Sequence, residues 1–420
     1  MNLNENGWLK NYLQFRHSNL SDINSEFSNI PKIEHRMYRT AQPTGIMYGH
    51  PIVPADLSPK LSGLEPSDKM KVVLIENLIQ SNHMDQSMID ANSEEFSYEL
   101  ATKLITYYLQ VFPEIETDTH TMGGKLKSKE VIAEQIINKR LISRKSIFKN
   151  LWTSYFHNSL LFIDVFFFKT WSEKKDGLKT IESLRNGKDG LRLTLLKIIA
   201  AAANADKVIE KEEKKLFLMF LKSAKLDSKS ESEALKFIDS DITLDDIDFP
   251  DVDSWILKKY FLELAILTVW SDKVVNDEEQ EFIQRLGNKL GFNEDEIFDS
   301  FTAIESFVLT NWNEIQFFLK NKDIQVVSKL FVNQMKRVVA INKDRIATEI
   351  KESKELMELL AASSKRKLNA EEKEKVRQQL IDLLKILPTF IIIALPGTFL
   401  TLPIMLKVLP KSAFPSAFQN

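Results

Sequence analysis

The sequence predicts an all-α protein, in which a multi-helical cytoplasmic body is followed by one proline-rich transmembrane helix at the C-terminus. Apolar residues recur at spacings of three and four in segments such as Lys71–Ile79 and Phe96–Phe112, which is the period of an amphipathic helix. No stretch alternates apolar and polar residues as a half-buried strand would. Residues Ile386–Leu406 form a run of 21 residues without a charge, which is long enough to cross a bilayer.

The composition is that of a folded protein and excludes several classes of site. The chain has 420 residues, of which 44% are hydrophobic and 27% are charged. A formal net charge of -3 provides no basic field that would recruit DNA. The absence of cysteine excludes disulfides, thiolate metal sites and cysteine nucleophiles. The polar N-terminus carries no signal peptide, so the C-terminal segment would be the membrane address.

The N-terminal third divides into two predicted parts. Residues 1–67 are predicted to be extended or loop-rich, because six of the 13 prolines lie from Pro31 to Pro66. Residues 68–187 are predicted to form a helical domain. Its aromatic centre, Leu160–Phe168, is too short to span a bilayer and contains Asp164, so we expect a buried core helix, with an interfacial helix as the alternative.

Residues 188–309 contain an internal repeat. Leu195–Leu226 can be laid over Phe261–Phe292 at a constant offset of 66 residues. Each copy is predicted to form a helix, a short acidic turn and a second helix, and two such copies can bury each other's apolar faces.

The acidic turns of the repeat supply the candidate metal ligands. Carboxylates in a turn that connects two helices suit Ca²⁺ or Mg²⁺, although the ligand spacing of an EF-hand is absent. The alternative is that these residues cap helices and favour helix starts electrostatically. No cofactor is expected other than such a divalent cation. The candidates are Asp206, Glu210, Glu213, Asp272, Asp277 and Glu279.

The chain lacks the motifs of the common enzyme classes. None of its six histidines forms a His-Glu-x-x-His motif, and no phosphate-binding loop, nucleophile elbow or dinucleotide fingerprint is present. We therefore expect that the protein is not an enzyme.

Residues 310–384 are predicted to form a helical approach to the membrane. Asn369 with Glu372 three residues later is a helix-start signature. A juxtamembrane basic cluster, which we define as Lys365, Arg366, Lys367 and Lys385, can bind anionic lipid headgroups or simply set topology. The positive-inside rule then places the body in the cytoplasm.

Residues 385–410 form the predicted transmembrane segment, and 411–420 a short tail. A helix over Ile386–Leu406 would be ~31 Å long, about one hydrocarbon core. Prolines kink such a helix and free carbonyl groups, so the segment is expected to pack against a protein partner or against copies of itself. A re-entrant hairpin is the alternative. The ladder of kinking residues consists of Pro388, Pro396, Gly397, Pro403 and Pro410.

The C-terminal motifs resemble those of the Letm family, the leucine-zipper and EF-hand transmembrane proteins. The approach helix Leu368–Pro388, the ladder Leu395–Pro410 and the terminal Phe414–Phe418 carry the resemblance, which is closest to bacterial Letm-related, biofilm-associated proteins. It implies an inner-membrane location, cation/proton exchange and ribosome binding. Mitochondrial members carry an acidic residue where this sequence has Phe399, and an intramembrane carboxylate is the natural cation carrier.

The repeat resembles tellurite-resistance TerB domains, with Lys207 and Lys273 at positions where that family often has glycine. Together these patterns predict a non-enzymatic, membrane-anchored interaction or sensing scaffold with two TerB-like units. The expected partners are membrane lipid, a protein partner or a second copy, and, through the Letm resemblance, the ribosome. The alternative function is that of a subunit of an oligomeric cation/proton exchanger in ion homeostasis.

Overall fold

Helices dominate the part of the chain that can be described. The computed structural model describes residues 3, 5–18, 30–54, 57, 61, 64–81, 91–120, 123–141, 160–173, 177–207, 209, 211–249, 254–270, 277–310, 324–387, 389–390 and 402–409. In these ranges the chain forms α-helices, three short 3₁₀ helices and one isolated bridge between His120 and Leu126. The prediction of an all-α fold is confirmed.

The chain divides into two compact units, Met1–Leu264 and Ala265–Asn420. The first unit contains α1 (Trp8–His17), α2 (Ile33–Thr44), α3 (Pro66–Ser81), α4 (Ser93–Val111), α5 (Lys129–Leu141), α6 (Leu161–Glu173), α7 (Gly177–Ala203), α8 (Lys211–Ala224) and α9 (Ser228–Ala234). The division falls within α10 (Trp255–Val269). The second unit contains α11 (Asp277–Lys289), α12 (Glu294–Thr310), α13 (Ile324–Ile341), α14 (Lys343–Glu352), α15 (Lys354–Lys365), α16 (Ala370–Lys385) and α17 (Leu402–Val408).

The N-terminal stretch that we predicted to be extended contains a helix. Helix α2 covers Ile33–Thr44, and a 3₁₀ turn follows at Ile46–Tyr48. The prolines lie where a helix tolerates a missing N–H group: Pro43 is in the last turn of α2, and Pro66 is the first residue of α3. Proline content therefore marked helix ends rather than a loop.

The first unit is built around long amphipathic helices with a strongly aromatic core. Helix α4 packs on α1, α5 and α7, while α3 packs on α2, α5 and α6. Leu160–Phe168 is buried throughout, so the predicted core helix is confirmed as part of α6. One buried ion pair links α1 to α3, in which Arg16 and the Tyr12 hydroxyl both donate to Glu76.

The two copies of the repeat share their helix boundaries. Helices α7 and α10 end at Ala203 and Val269, and α8 and α11 begin at Lys211 and Asp277, so each boundary recurs after 66 residues. Equivalent apolar side chains are buried in both copies: Leu196 and Leu262, Phe217 and Ile283, Phe220 and Leu286. The predicted helix–turn–helix form of each copy is confirmed.

The second unit is a set of helices that follow one another in space. Helix α12 packs on α11 and α13, and α16 packs on α14, α15 and α17. At the α11–α12 contact, a Cβ atom at Gly287 would lie only 2.4 Å from Ile297, so this position requires glycine. The predicted start of α16 is confirmed, because Asn369 and Glu372 form a reciprocal capping box.

Candidate functional site

The candidate metal ligands of the repeat lie at the turn and in the first turns of the second helices. Asp206 follows α7, Glu213 lies in the first turn of α8, and Asp277 and Glu279 lie in the first turn of α11. Glu210 and Asp272 are outside the described residues. In the ranges that the structure covers, no three or more histidine or carboxylate side chains come together as a metal site requires. The described residues agree with a role in starting helices.

Glu213 and Glu279 occupy equivalent positions in the two copies, and both are buried, with exposed fractions of 3% and 4%. A carboxylate in the first helical turn interacts favourably with the free amide groups there. The repeat therefore reproduces a buried acidic helix start, which the sequence showed only as an acidic turn.

Lys207 has a left-handed backbone conformation, with φ at 64°. Glycine adopts this region without the steric cost that a Cβ atom brings. This lysine occupies the position where the TerB-like pattern often has glycine, and the backbone geometry supplies a physical reason for that preference. Lys273, its counterpart, lies outside the described residues.

The C-terminal segment does not continue as one helix from its approach. Helix α16 ends at Lys385, and helix α17 begins at Leu402. Within the described ranges, none of the helices combines the length and the apolar character that a membrane crossing requires. Residues 391–401 are not described, so the membrane location of the segment stays a prediction.

Both ends of the predicted membrane segment are buried against the second unit. Leu387 and Phe390 are almost fully buried, and the Thr389 hydroxyl donates to Asp299 of α12 over 3.0 Å. At the other end, Met405 is fully buried in α17, which packs on α13 and α16.

The contact between α17 and α16 is incompatible with a single straight span. A helix that continued from Lys385 would carry Leu402 about 26 Å further along its axis. Because α17 instead lies against α16, the chain must turn back between Phe390 and Leu402. The structure thus corrects the preferred prediction of one uninterrupted helix, and the described ends fit the hairpin that we gave as the alternative.

One residue of the proline ladder is described. Pro403 is exposed in the first turn of α17, where a missing N–H group leaves no helical hydrogen bond unmade. Pro388, Pro396, Gly397 and Pro410 lie outside the described residues, so the structure does not bring the ladder together.

The juxtamembrane basic cluster is largely paired with acidic neighbours. Arg366 donates to both oxygens of Glu372 at 2.5 and 2.8 Å, and this contact lowers the pKa of Glu372 to about 2. Lys385 pairs with Asp382 at 2.9 Å. Lys367 is exposed, and the side chain of Lys365 is not described. This pairing reduces the field that the cluster presents to a lipid surface.

A buried carboxylate cluster in the first unit escaped the sequence patterns. Glu263 is fully buried in α10 and accepts hydrogen bonds from the Tyr38 hydroxyl at 2.5 Å and the Tyr48 hydroxyl at 2.6 Å. Burial raises the pKa of Glu263 to about 7, against the opposing effects of Lys259 and the two hydroxyl donors. The available signal was a lone acid within the apolar run Trp255–Val269.

A second buried network joins α5 to α6. The Arg140 guanidinium binds both carboxylate oxygens of Asp164, and the Tyr107 hydroxyl donates to the Asp164 backbone carbonyl. This bidentate pair satisfies the only charge in the aromatic centre of α6. The network explains how an aspartate can occupy the core, and it contains no arrangement of groups that suggests a reaction.

Comparison with known proteins adds no assignment to this geometry. No protein-family model, no curated protein and no solved structure matches the chain. The function must therefore be argued from the residues and their positions alone.

Proposed function

We propose that this protein is a non-enzymatic scaffold that is anchored at the cytoplasmic face of an inner membrane by a hairpin between Phe390 and Leu402. The observation that carries the proposal is the contact of α17 with α16, which returns the chain to the body after an uncharged stretch. The chain between these points is rich in isoleucine, leucine and phenylalanine, and it carries Pro396 and Gly397 at its centre.

The length of the hairpin sets its depth. Six residues lead from Phe390 to Pro396, which is ~9 Å of helix or ~20 Å of extended chain. One leaflet of a bilayer has a hydrocarbon depth of ~15 Å. Such a hairpin reaches into one leaflet without crossing it, and its turn needs protein or headgroup partners for the backbone polar groups.

The rest of the molecule provides the surface of the scaffold. Both units consist of packed helices, and Lys367 and Lys373 next to the anchor are exposed and suited to anionic headgroups. A protein partner, or a second copy packed against the hairpin, would satisfy the backbone groups at its turn. The ribosome is a candidate partner on the Letm resemblance alone, and cosedimentation of the full chain with ribosomes tests it.

Cation/proton exchange is a weaker proposal. Exchange needs a path through the whole bilayer, and a hairpin that enters and leaves on one side offers none. The residue at the position of the family's intramembrane carboxylate is Phe399, which cannot carry a proton. Ion-coupled proton flux in proteoliposomes that contain the purified full chain would overturn this view.

Cysteine labelling tests the hairpin directly, because the chain has no cysteine of its own. We would introduce Lys373→Cys on α16 and, in a separate variant, Ser412→Cys beyond the segment. A hairpin places both thiols on the same side, so a membrane-impermeant maleimide labels both from the cytoplasmic face. Labelling of the two positions from opposite faces would establish a single span and reject the hairpin.

Charge substitution tests the anchor itself. Ile392→Lys places a charge within the apolar stretch, at a cost of up to ~3 kcal/mol at bilayer depth, and we expect the protein to move from the membrane pellet to the supernatant. The matched control is Ile341→Lys, because Ile341 is 63% exposed at the end of α13. Equal membrane retention of the two variants would contradict anchoring by this segment.

A further inference from the structure

The first unit contains an open cleft that the membrane proposal does not use. It lies between the C-terminal half of α6, the first half of α7 and the segment from Glu233 to Ser254. Its volume is about 710 Å³, which is within the usual range of small-molecule sites, roughly 300–1,000 Å³. Its size is therefore that of a site for a metabolite rather than for a single ion.

The floor of the cleft is aromatic and aliphatic. Phe166 and Phe167 of α6 face Leu184 of α7 and Phe237 of the 3₁₀ helix Phe237–Asp239, and all four side chains are largely buried. An apolar ligand body that covered this floor would remove apolar surface from water, which is the main source of affinity in such sites.

One wall carries a buried ammonium group that is already satisfied. The Lys169 side chain is only 11% exposed and lies 3.5 Å from Glu34 and 3.1 Å from Glu173. Glu34 also accepts from the Ser254 hydroxyl at 2.8 Å and from the backbone N–H of Ile256 at 3.2 Å, at the start of α10. With two carboxylates and one ammonium, this wall has one negative charge in excess.

The opposite wall is also acidic. Glu233 and Asp248 are exposed at the cleft, and the Lys197 ammonium lies 5.6 Å from the centre of the Phe237 ring. The ring holds this cation on its face. The whole lining thus contains four carboxylates and two ammonium groups, which leaves an excess of two negative charges.

Two glycines keep the cleft open along α7. A Cβ atom at Gly187 or at Gly190 would meet no other atom within 4 Å. Glycine in the interior of a helix costs ~1 kcal/mol relative to alanine, and packing gives no reason to accept that cost here. The free space above both positions forms part of the cleft.

We propose that this cleft binds a small organic cation, with an aromatic or aliphatic body on the phenylalanine floor and an amine between the acidic walls. The apolar floor favours the body, and the excess negative charge favours a cationic over an anionic head. The site lies within the first unit and is independent of the membrane anchor.

A matched series of probes tests the charge preference. Phenylbutylamine, phenylbutyrate and phenylbutanol share one apolar body and differ in the charge of the head group. Titration calorimetry on the full chain should show binding of the amine that is about tenfold tighter than binding of the acid, with the alcohol between them. Absence of amine binding, or equal binding of amine and acid, overturns the proposal.

Variants locate the site. Gly190→Leu and Gly187→Leu fill the free space without meeting a neighbouring atom, so they should abolish amine binding while the thermal midpoint stays equal or rises. Asn186→Leu, on an exposed position of the same helix outside the cleft lining, is the control and should bind normally. The double variant Glu233→Gln/Asp248→Asn should weaken the amine by about threefold to tenfold and leave the alcohol unchanged. Amine binding that survives both leucine variants places the site elsewhere.

Discussion

At the scale of single residues, the two clearest constraints are a glycine that has no room and a carboxylate that has no water. Gly287 lies where α11 approaches α12 so closely that a methyl group would overlap Ile297. Glu263 lies inside the first unit with only two tyrosine hydroxyls to hold it. Each constraint depends on atoms from a different element, and each leads to a measurable effect.

We expect Gly287→Ala to destabilise the protein, although alanine is the better helix former. The new methyl group would lie 2.4 Å from Ile297, which is itself buried, and overpacking of this kind costs ~1–3 kcal/mol against a gain of ~1 kcal/mol in helix propensity. Gly187→Ala is the matched control, because open space surrounds it. Thermal unfolding should shift down for the first variant and up for the second, and shifts of the same sign would refute the packing argument.

We expect the stability of the protein to fall as the pH rises towards 7, in part because of Glu263. Burial raises the pKa of Glu263 to about 7 in the folded protein, whereas an exposed glutamate has a pKa of ~4.3. Between these values the folded state holds a proton that the unfolded state has released, so stability is present below pH ~4.3 and is lost as the pH passes through about 7.

The variant Glu263→Gln isolates this contribution. The amide stays neutral at every pH, so denaturant unfolding from pH 5 to 8 should show a flatter pH dependence than in the parent protein, by an amount on the order of 3 kcal/mol across the range. If both proteins lose stability in parallel, Glu263 is ionised throughout and the raised pKa is wrong.

At the scale of elements, the informative helix is α17. It has seven residues, too few to be stable alone, and its position is set by the burial of Met405 and Val408 against α13 and α16. The docking of this short helix turns a linear anchor into a hairpin. Its packing is thus the element-level feature on which the proposed function depends.

We expect Met405→Ala to loosen the second unit. Removal of a fully buried methionine side chain costs ~2–5 kcal/mol, and hydrogen exchange in α13 and α16 should accelerate in the membrane-bound protein. Ile341→Ala, at an exposed position, should leave exchange unchanged. Unchanged exchange in both variants would mean that Met405 faces lipid, as a single span would require.

At the scale of the whole molecule, local patterns carried the helices, and their boundaries followed where the chemistry is short-range. The capping box of Asn369 and Glu372, the burial of Leu160–Phe168 and the helix–turn–helix form of both repeats all depend on residues within a few turns of each other. The prolines of the N-terminal stretch misled, because proline is compatible with both a loop and a helix end, and only the packing of α2 decided between them.

By itself, the sequence determined that the chain is helical, where its repeat lies, and that Ile386–Leu406 avoids water. It did not determine what covers that segment, because apolar residues are equally favourable against lipid and against protein. Only the tertiary structure placed Leu387, Phe390 and Met405 against the second unit and turned the chain back between them. In the same way, it brought Tyr38 and Tyr48 to Glu263 across more than 200 residues, a contact that leaves no mark on local periodicity.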